Sequence, residues 1–176
     1  MEYRFEVVLS ENPKNPRDWG NFGKMICFHG RYDLGDKHDY SHLDYSGWDE
    51  MKKAIIKNEK VRTILPLYLY DHSGLSISTS PFSCPWHSGQ VGFIYCTKKD
   101  VKENFMGMLH KDRIVVLLKG EVERYDKYLK GEEYGYVIYE ITDNGEKVIN
   151  SCYGYEDKDY CEQEAKRCIN YYETTK

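Results

Sequence analysis

Three observations predict an α+β protein built mainly on antiparallel sheet. Two turn signals, Asp71-His72-Ser73-Gly74 and Asn144-Gly145, each sit between runs of alternating or β-branched residues, as a hairpin requires. Amphipathic helical patterns at 47–59, 112–130 and from Cys161 onward interleave with these hairpins rather than following each strand. No glycine-rich phosphate loop follows any strand, which argues against a doubly wound parallel sheet. The expectation is a single globular domain over 1–176, its antiparallel sheet packed by about three to four helices.

Taken in order, Tyr3, Phe5, Val7 and Leu9 alternate as a half-buried strand. A loop with two prolines and two glycines follows, carrying Trp19 and Phe22, and leads to a short strand at 24–29 that is expected to pair with the first. Residues 30–47 form a long irregular loop rich in Asp, His and Tyr, of a length that is more often functional than idle. Ser46 is a plausible N-cap for a helix over 47–59, striped by Trp48, Met51 and Ile55.

Residues 62–70 are strand-like, but Pro66 lacks an amide donor and demotes them to an edge or bulged strand. The DHSG turn, a proline-bounded loop around Cys84, Trp86 and His87, and a buried strand over 91–96 come next. Thr97 with Asp100 makes a capping box for a short helix containing Val101, Phe105 and Met108. Ile114, Leu118, Val122, Tyr125 and Leu129 stripe the longest helix, which Gly131 closes. Cys161, Ala165, Cys168 and Tyr172 stripe the last, so its cysteines read as small core residues.

Composition narrows the function classes. A formal charge of -4 disfavours a general nucleic-acid binder that works by neutralising phosphates. The N-terminal MEYRFEVVLS lacks a signal peptide's basic start and apolar core, and no apolar run approaches the roughly 20 residues that span a bilayer. A cytoplasmic protein with free thiols is therefore expected, with no membrane partner. The 17 tyrosines suit half-buried strands and contact surfaces, because the ring packs while the hydroxyl stays available.

Four chemical readings compete. Cys27 and His29, spaced for one face of a strand, with Cys84 and His87 could close a zinc site, although ordinary packing explains the same residues more simply. Cys84, or a serine such as Ser73 or Ser88, could act as nucleophile with His72 or His87 as base and Asp71 as orienting acid. Adjacent Asp71, His72 and Ser73 cannot form that triad by themselves on a strand, where neighbours point to opposite faces. Asp33, Asp36, Asp39 and Asp44, with His38 and His42, could hold a divalent cation for a metal-assisted hydrolase or nuclease, although such a run is usually just solvated.

The fourth reading is a binding surface with no cofactor. Tyr32, Tyr40, Tyr45, Trp19 and Trp86 lie where no helix or strand period demands an aromatic, and Asp33, Asp36 and Asp44 stand among them. This loop composition is that of a contact patch.

The blocks NPRDWGNFGKMICFHGRYDLGDKH, LPLYLYDHSGLSISTSPFSCPWHSGQVGFIY, EVERYDKYLKGEEYGYVIY and SCYGYEDKDY resemble a protein family of bacteriophages and other mobile genetic elements. The resemblance covers most of the chain and brings no catalytic residue to transfer. Its members more often carry Asp at the position of His87 and Trp at that of Tyr153, which counts against His87 as a zinc ligand. The resemblance implies a counter-defence setting inside a host cell. The leading expectation is an anti-CRISPR or anti-restriction inhibitor that binds a host nuclease or nucleoprotein effector, with nucleic acid as part of that complex. A non-enzymatic phage accessory protein is the blander alternative.

Overall fold

A computed structural model describes residues 2–175. Among them are seven strands in two antiparallel sheets and four helices, an α+β fold. The described residues divide into two compact units, 2–14 with 130–175 and 15–129.

The larger unit is a four-stranded sheet between helices. Its strands are β2 (Lys24–Cys27), β3 (Val61–Asp71), β4 (Leu75–Ser78) and β5 (Ser88–Thr97), in the order β2-β5-β3-β4. Helix α1 (Trp48–Asn58) sets Met51 and Ile55 against Ile26, Phe93 and Tyr95 on one face. Helix α3 (Lys111–Leu129) sets Ile114, Leu118, Val122 and Tyr125 against Met25, Cys27, Ile94 and Cys96 on the other. The period-two alternation of Met25, Ile26 and Cys27, and of Phe93 to Cys96, thus divides the side chains between two cores.

Pro66 lies inside β3, where the strand has a partner on one side only. It pairs with Phe93 of β5, whereas β4 begins its pairing at Tyr68, and the register shifts between Leu67 and Tyr68. The bulge beside the proline is on the partner strand and not on β3 as expected: Val91 of β5 is the extra residue, and the missing amide of Pro66 is tolerated because β4 does not reach that far along β3. Helix α1 starts differently from the expectation. Gly47 is its N-cap, and the Ser46 amide and hydroxyl instead donate to the Glu50 carboxylate at 2.7 and 2.6 Å.

Helix α2 (Lys98–Phe105) opens with the expected reciprocal cap. Thr97 Oγ1 accepts from the Asp100 amide at 3.1 Å, and the Asp100 carboxylate accepts from the Thr97 amide at 2.7 Å. The helix stops at Met106 in the left-handed region, so Met108 lies beyond it. Thr97→Ala is expected to cost about 1 kcal/mol in urea unfolding, and Thr97→Ser almost nothing; equal midpoints for Thr97→Ala and the parent would contradict this account of the cap.

The smaller unit holds β1 (Glu2–Leu9), β6 (Tyr134–Thr142) and β7 (Gly145–Tyr155) in the order β1-β6-β7, with helix α4 (Lys158–Thr175) on one face. Cys161 and Ala165 of α4 are fully buried against Tyr136 and Ile138, with Phe5 and Val7 beside them. On the other face Arg4 forms an ion pair with Glu146 and lies 4.1 Å from the centre of the Tyr139 ring. The expected pairing of β1 with β2 is therefore not formed. Strand β1 pairs with β6 along its whole length, and β2 pairs with β5. The Asn144-Gly145 hairpin joins β6 to β7 as expected, with Thr142 opposite Gly145.

Candidate functional site

Two loops of the larger unit, 28–47 and 79–87, meet beside the turn of the β3–β4 hairpin. Strand β3 ends at Asp71, and His72, Ser73 and Gly74 make the turn, with Ser73 at φ +58°. The Asp71 amide donates to the His87 carbonyl at 2.8 Å, which ties the second loop to the strand end. Arg31 of the first loop forms an ion pair with the Asp71 carboxylate, and the Tyr32 hydroxyl lies 3.5 Å from the same group. Asp71 therefore joins both loops to the sheet, the first through its carboxylate and the second through its backbone amide.

The rings around this junction are stacked. His72 and His87 lie face to face with centroids 4.3 Å apart, and Tyr70 stands edge-on to both. His29 stacks on Tyr32 at 5.0 Å. Between the two stacks is a cleft of about 420 Å³, to which His29, Arg31, Asp71, Trp86, His87 and Gln90 contribute. Trp86 is 89% exposed, the most exposed of the large apolar side chains among the described residues. A second cleft of about 500 Å³ adjoins Phe28 and His29 and reaches Asp33, His42 and Trp48.

The first loop is anchored from within. The Asp36 carboxylate accepts from Arg17 Nε and Nη2 at 2.8 and 2.6 Å and from the Met25 amide at 2.7 Å. Arg17 also donates to Glu121 at 3.0 Å and to the Gly23 carbonyl at 2.7 Å, with only 3% of its side chain exposed. Burial disfavours its charge, but the hydrogen bonds and charges of Asp36 and then Glu121 outweigh that, and its pKa stands raised. The Tyr125 hydroxyl accepts from the Gly35 amide at 3.0 Å, and the His38 Nε2–H donates to the Cys27 carbonyl at 3.0 Å. Tyr40 donates to Glu59 at 2.8 Å, and burial followed by that bond pushes its phenol up to about 12.

These anchors sort the expected contact residues. Tyr32, Asp33, Asp44 and Trp86 are exposed. Asp36 and Tyr40 are committed to internal partners, and Tyr45 is half-buried against the α1 core. The clustering of Asp and Tyr in the sequence gave no sign of this division, because Arg17 and Glu59 lie far from their partners along the chain. Arg31, which no spacing singled out, holds the junction.

The histidines and cysteines fall into separate groups. His38 and His42 pack around Phe28, whereas His72 and His87 pack on Tyr70. Cys27 is buried, and desolvation followed by the nearby Asp36 charge raises its thiol to about 12. Among the described residues no three His, Cys, Asp or Glu side chains are grouped to hold a metal ion. Ser88 donates to the Cys84 carbonyl at 2.6 Å, and among the described residues no serine or cysteine is hydrogen-bonded to His72 or His87. His29 and His87 of the expected zinc set do share the first cleft.

Fold and site together define an α+β protein with a loop-built surface cleft beside an exposed tryptophan. No protein-family model, curated protein or solved structure matches the chain. Among the described residues no helix is long and apolar enough to cross a membrane.

Proposed function

We propose that the chain is a binding protein that docks on a host nuclease effector through the surface centred on Trp86, in a counter-defence role of the anti-CRISPR or anti-restriction type. The observation that carries the binding reading is the exposure of Trp86 beside a cleft whose walls are fixed by the Arg31–Asp71 pair and the His72–His87 stack. An indole left in water next to a polar cleft contributes little to folding but much to association, and tryptophan, tyrosine and arginine dominate interface energetics. Trp86, Tyr32 and Arg31 bring all three types to one junction. The identity of the partner class rests on the sequence resemblance, and the exposed Asp33 and Asp44 with the charge of -4 suit a basic, nucleic-acid-binding surface on that partner.

Trp86→Ala is expected to leave thermal unfolding unchanged and to weaken capture of the effector by about 30-fold, the effect of losing one interface hot spot. Pull-down against host restriction and CRISPR effectors at rising salt, followed by titration calorimetry on the captured one, measures this. Equal affinity for Trp86→Ala and the parent removes Trp86 from the interface. Failure to capture any stoichiometric effector removes the counter-defence reading.

A further inference from the structure

We propose that the larger unit binds a free basic amino acid in a cavity that shares only Asp33 with the two clefts described above. The cavity measures about 590 Å³, within the range of small-molecule sites. Segments 15–24 and 33–37, Glu59, the end of β5 and the first turn of α2 build it, so it lies wholly within this unit and does not depend on the effector interface.

The Tyr95 hydroxyl carries the inference. Tyr95 is fully buried, its ring packs with Ile26, Met51, Ile55 and Phe93, and it lines the cavity with its hydroxyl unpaired among the described residues. A buried hydroxyl without a partner costs stability, and phenylalanine would fill the same place without that cost. Folding alone gives no reason for the oxygen. Glu59, Asp100 and Asp36 line the same floor half-buried, and after burial itself the electrostatic influence of Glu59, Tyr40, Asp100 and Asp36 raises the Tyr95 pKa. Arg17, the buried cation of the wall, is spent between Asp36 and Glu121. A guanidinium or ammonium head entering here finds carboxylate acceptors and donates to the phenol oxygen. That oxygen is closed to water, so the head must part the floor. Glu59 is the side that yields: its one hydrogen-bond partner among the described residues is Tyr40, whereas Asp36 accepts three bonds and Asp100 caps α2.

The mouth matches the other end of such a molecule. Lys24 stands opposite Tyr95 across β2 and β5, which puts both side chains on one face, and Lys24 and Lys37 are exposed. Asp18 and Asp33 line the cavity and are exposed as well. Lysines receive a carboxylate and aspartates an ammonium, the two groups an amino acid carries on its α-carbon. Trp19, 51% exposed on the same wall, offers an indole face to a cation. A polyamine, cationic at both ends, would meet the two lysines instead.

Isothermal titration calorimetry on the full chain tests this with three probes of similar shape. L-Arginine is expected to bind at one site. L-Citrulline, whose head is a neutral ureido group, is expected to bind at least about 30-fold more weakly, and agmatine, which lacks the carboxylate, about tenfold more weakly. Tyr95→Phe is expected to weaken arginine binding by about fivefold without lowering the melting temperature of the free protein. Glu59→Gln, which can still accept from Tyr40, is expected to weaken it by about tenfold. No saturable heat from L-arginine or L-lysine at about 10 mM, where a millimolar site would be nearly full, overturns the proposal. So does citrulline or agmatine binding as tightly as arginine, or either variant, folded by circular dichroism, binding arginine as the parent does.

Discussion

Arg17→Ala is expected to destabilise the protein by about 3 kcal/mol, lowering the midpoint of thermal unfolding by roughly 6 to 12 °C. The substitution removes the cation that bridges two carboxylates, and both carboxylates remain where they are. Asp36 is still held by the Met25 amide, and Glu121 by the amides of Phe22 and Gly23 at 2.7 and 3.1 Å. Their side chains are 21% and 13% exposed, so water screens them in part and the cost falls at the lower end of the range for a broken buried pair. Arg17→Met keeps much of the packing but none of the charge, and is expected to fall nearly as far. Adding Asp36→Asn and Glu121→Gln to it should recover part of the loss. An Arg17→Met protein that melts with the parent would show that packing, not charge, holds this corner.

Gly92→Ala is expected to cost about 3 kcal/mol, the upper end for overpacking, and to loosen strand β2 selectively. A Cβ on Gly92 would overlap the Ile26 carbonyl oxygen and stand 2.9 and 3.0 Å from Ile26 C and Cys27 Cα. These are backbone atoms of the paired strand, with Cys27 directly opposite Gly92, so no rotamer change relieves the contact. The strand itself must move. Hydrogen exchange is expected to quicken at Met25 to Phe28 and to stay slow at Ile94 and Cys96 on the side paired with β3. Uniform protection with an unchanged melting temperature would refute the packing argument. Because Phe28 and His29 follow β2 directly and border both clefts, the same substitution should also weaken partner capture.

Local chemistry was readable along the chain. Asn144-Gly145, the Thr97–Asp100 box, and the stripes of α1, α3 and α4 each depend on residues close in sequence, and each appears in the fold. Strand partnership was not readable. Nothing in 3–9 or 24–29 distinguishes pairing across the intervening loop from pairing with strands more than sixty residues away.

The candidate site divides in the same way. The meeting of the first loop with the segment around Trp86 and His87 could be anticipated from their composition. Which of their acids and tyrosines face outward could not, because Asp36 is claimed by Arg17 and Tyr40 by Glu59. Much of the tyrosine enrichment is structural for a related reason. Tyr95, Tyr125 and Tyr136 are buried, and their rings fill the cores.

The anchors on 30–47 bear on the entropy of association. A loop of this length, if free, would lose backbone freedom each time a partner bound, at roughly 1 to 2 kcal/mol for every residue ordered. Here Gly35, Asp36, His38 and Tyr40 are already tied to α3, Arg17, β2 and Glu59, and Arg31 to the end of β3. That ordering is completed during folding, so under the proposed binding role this loop would add little ordering cost when a partner docks, and more of the contact energy would go into affinity.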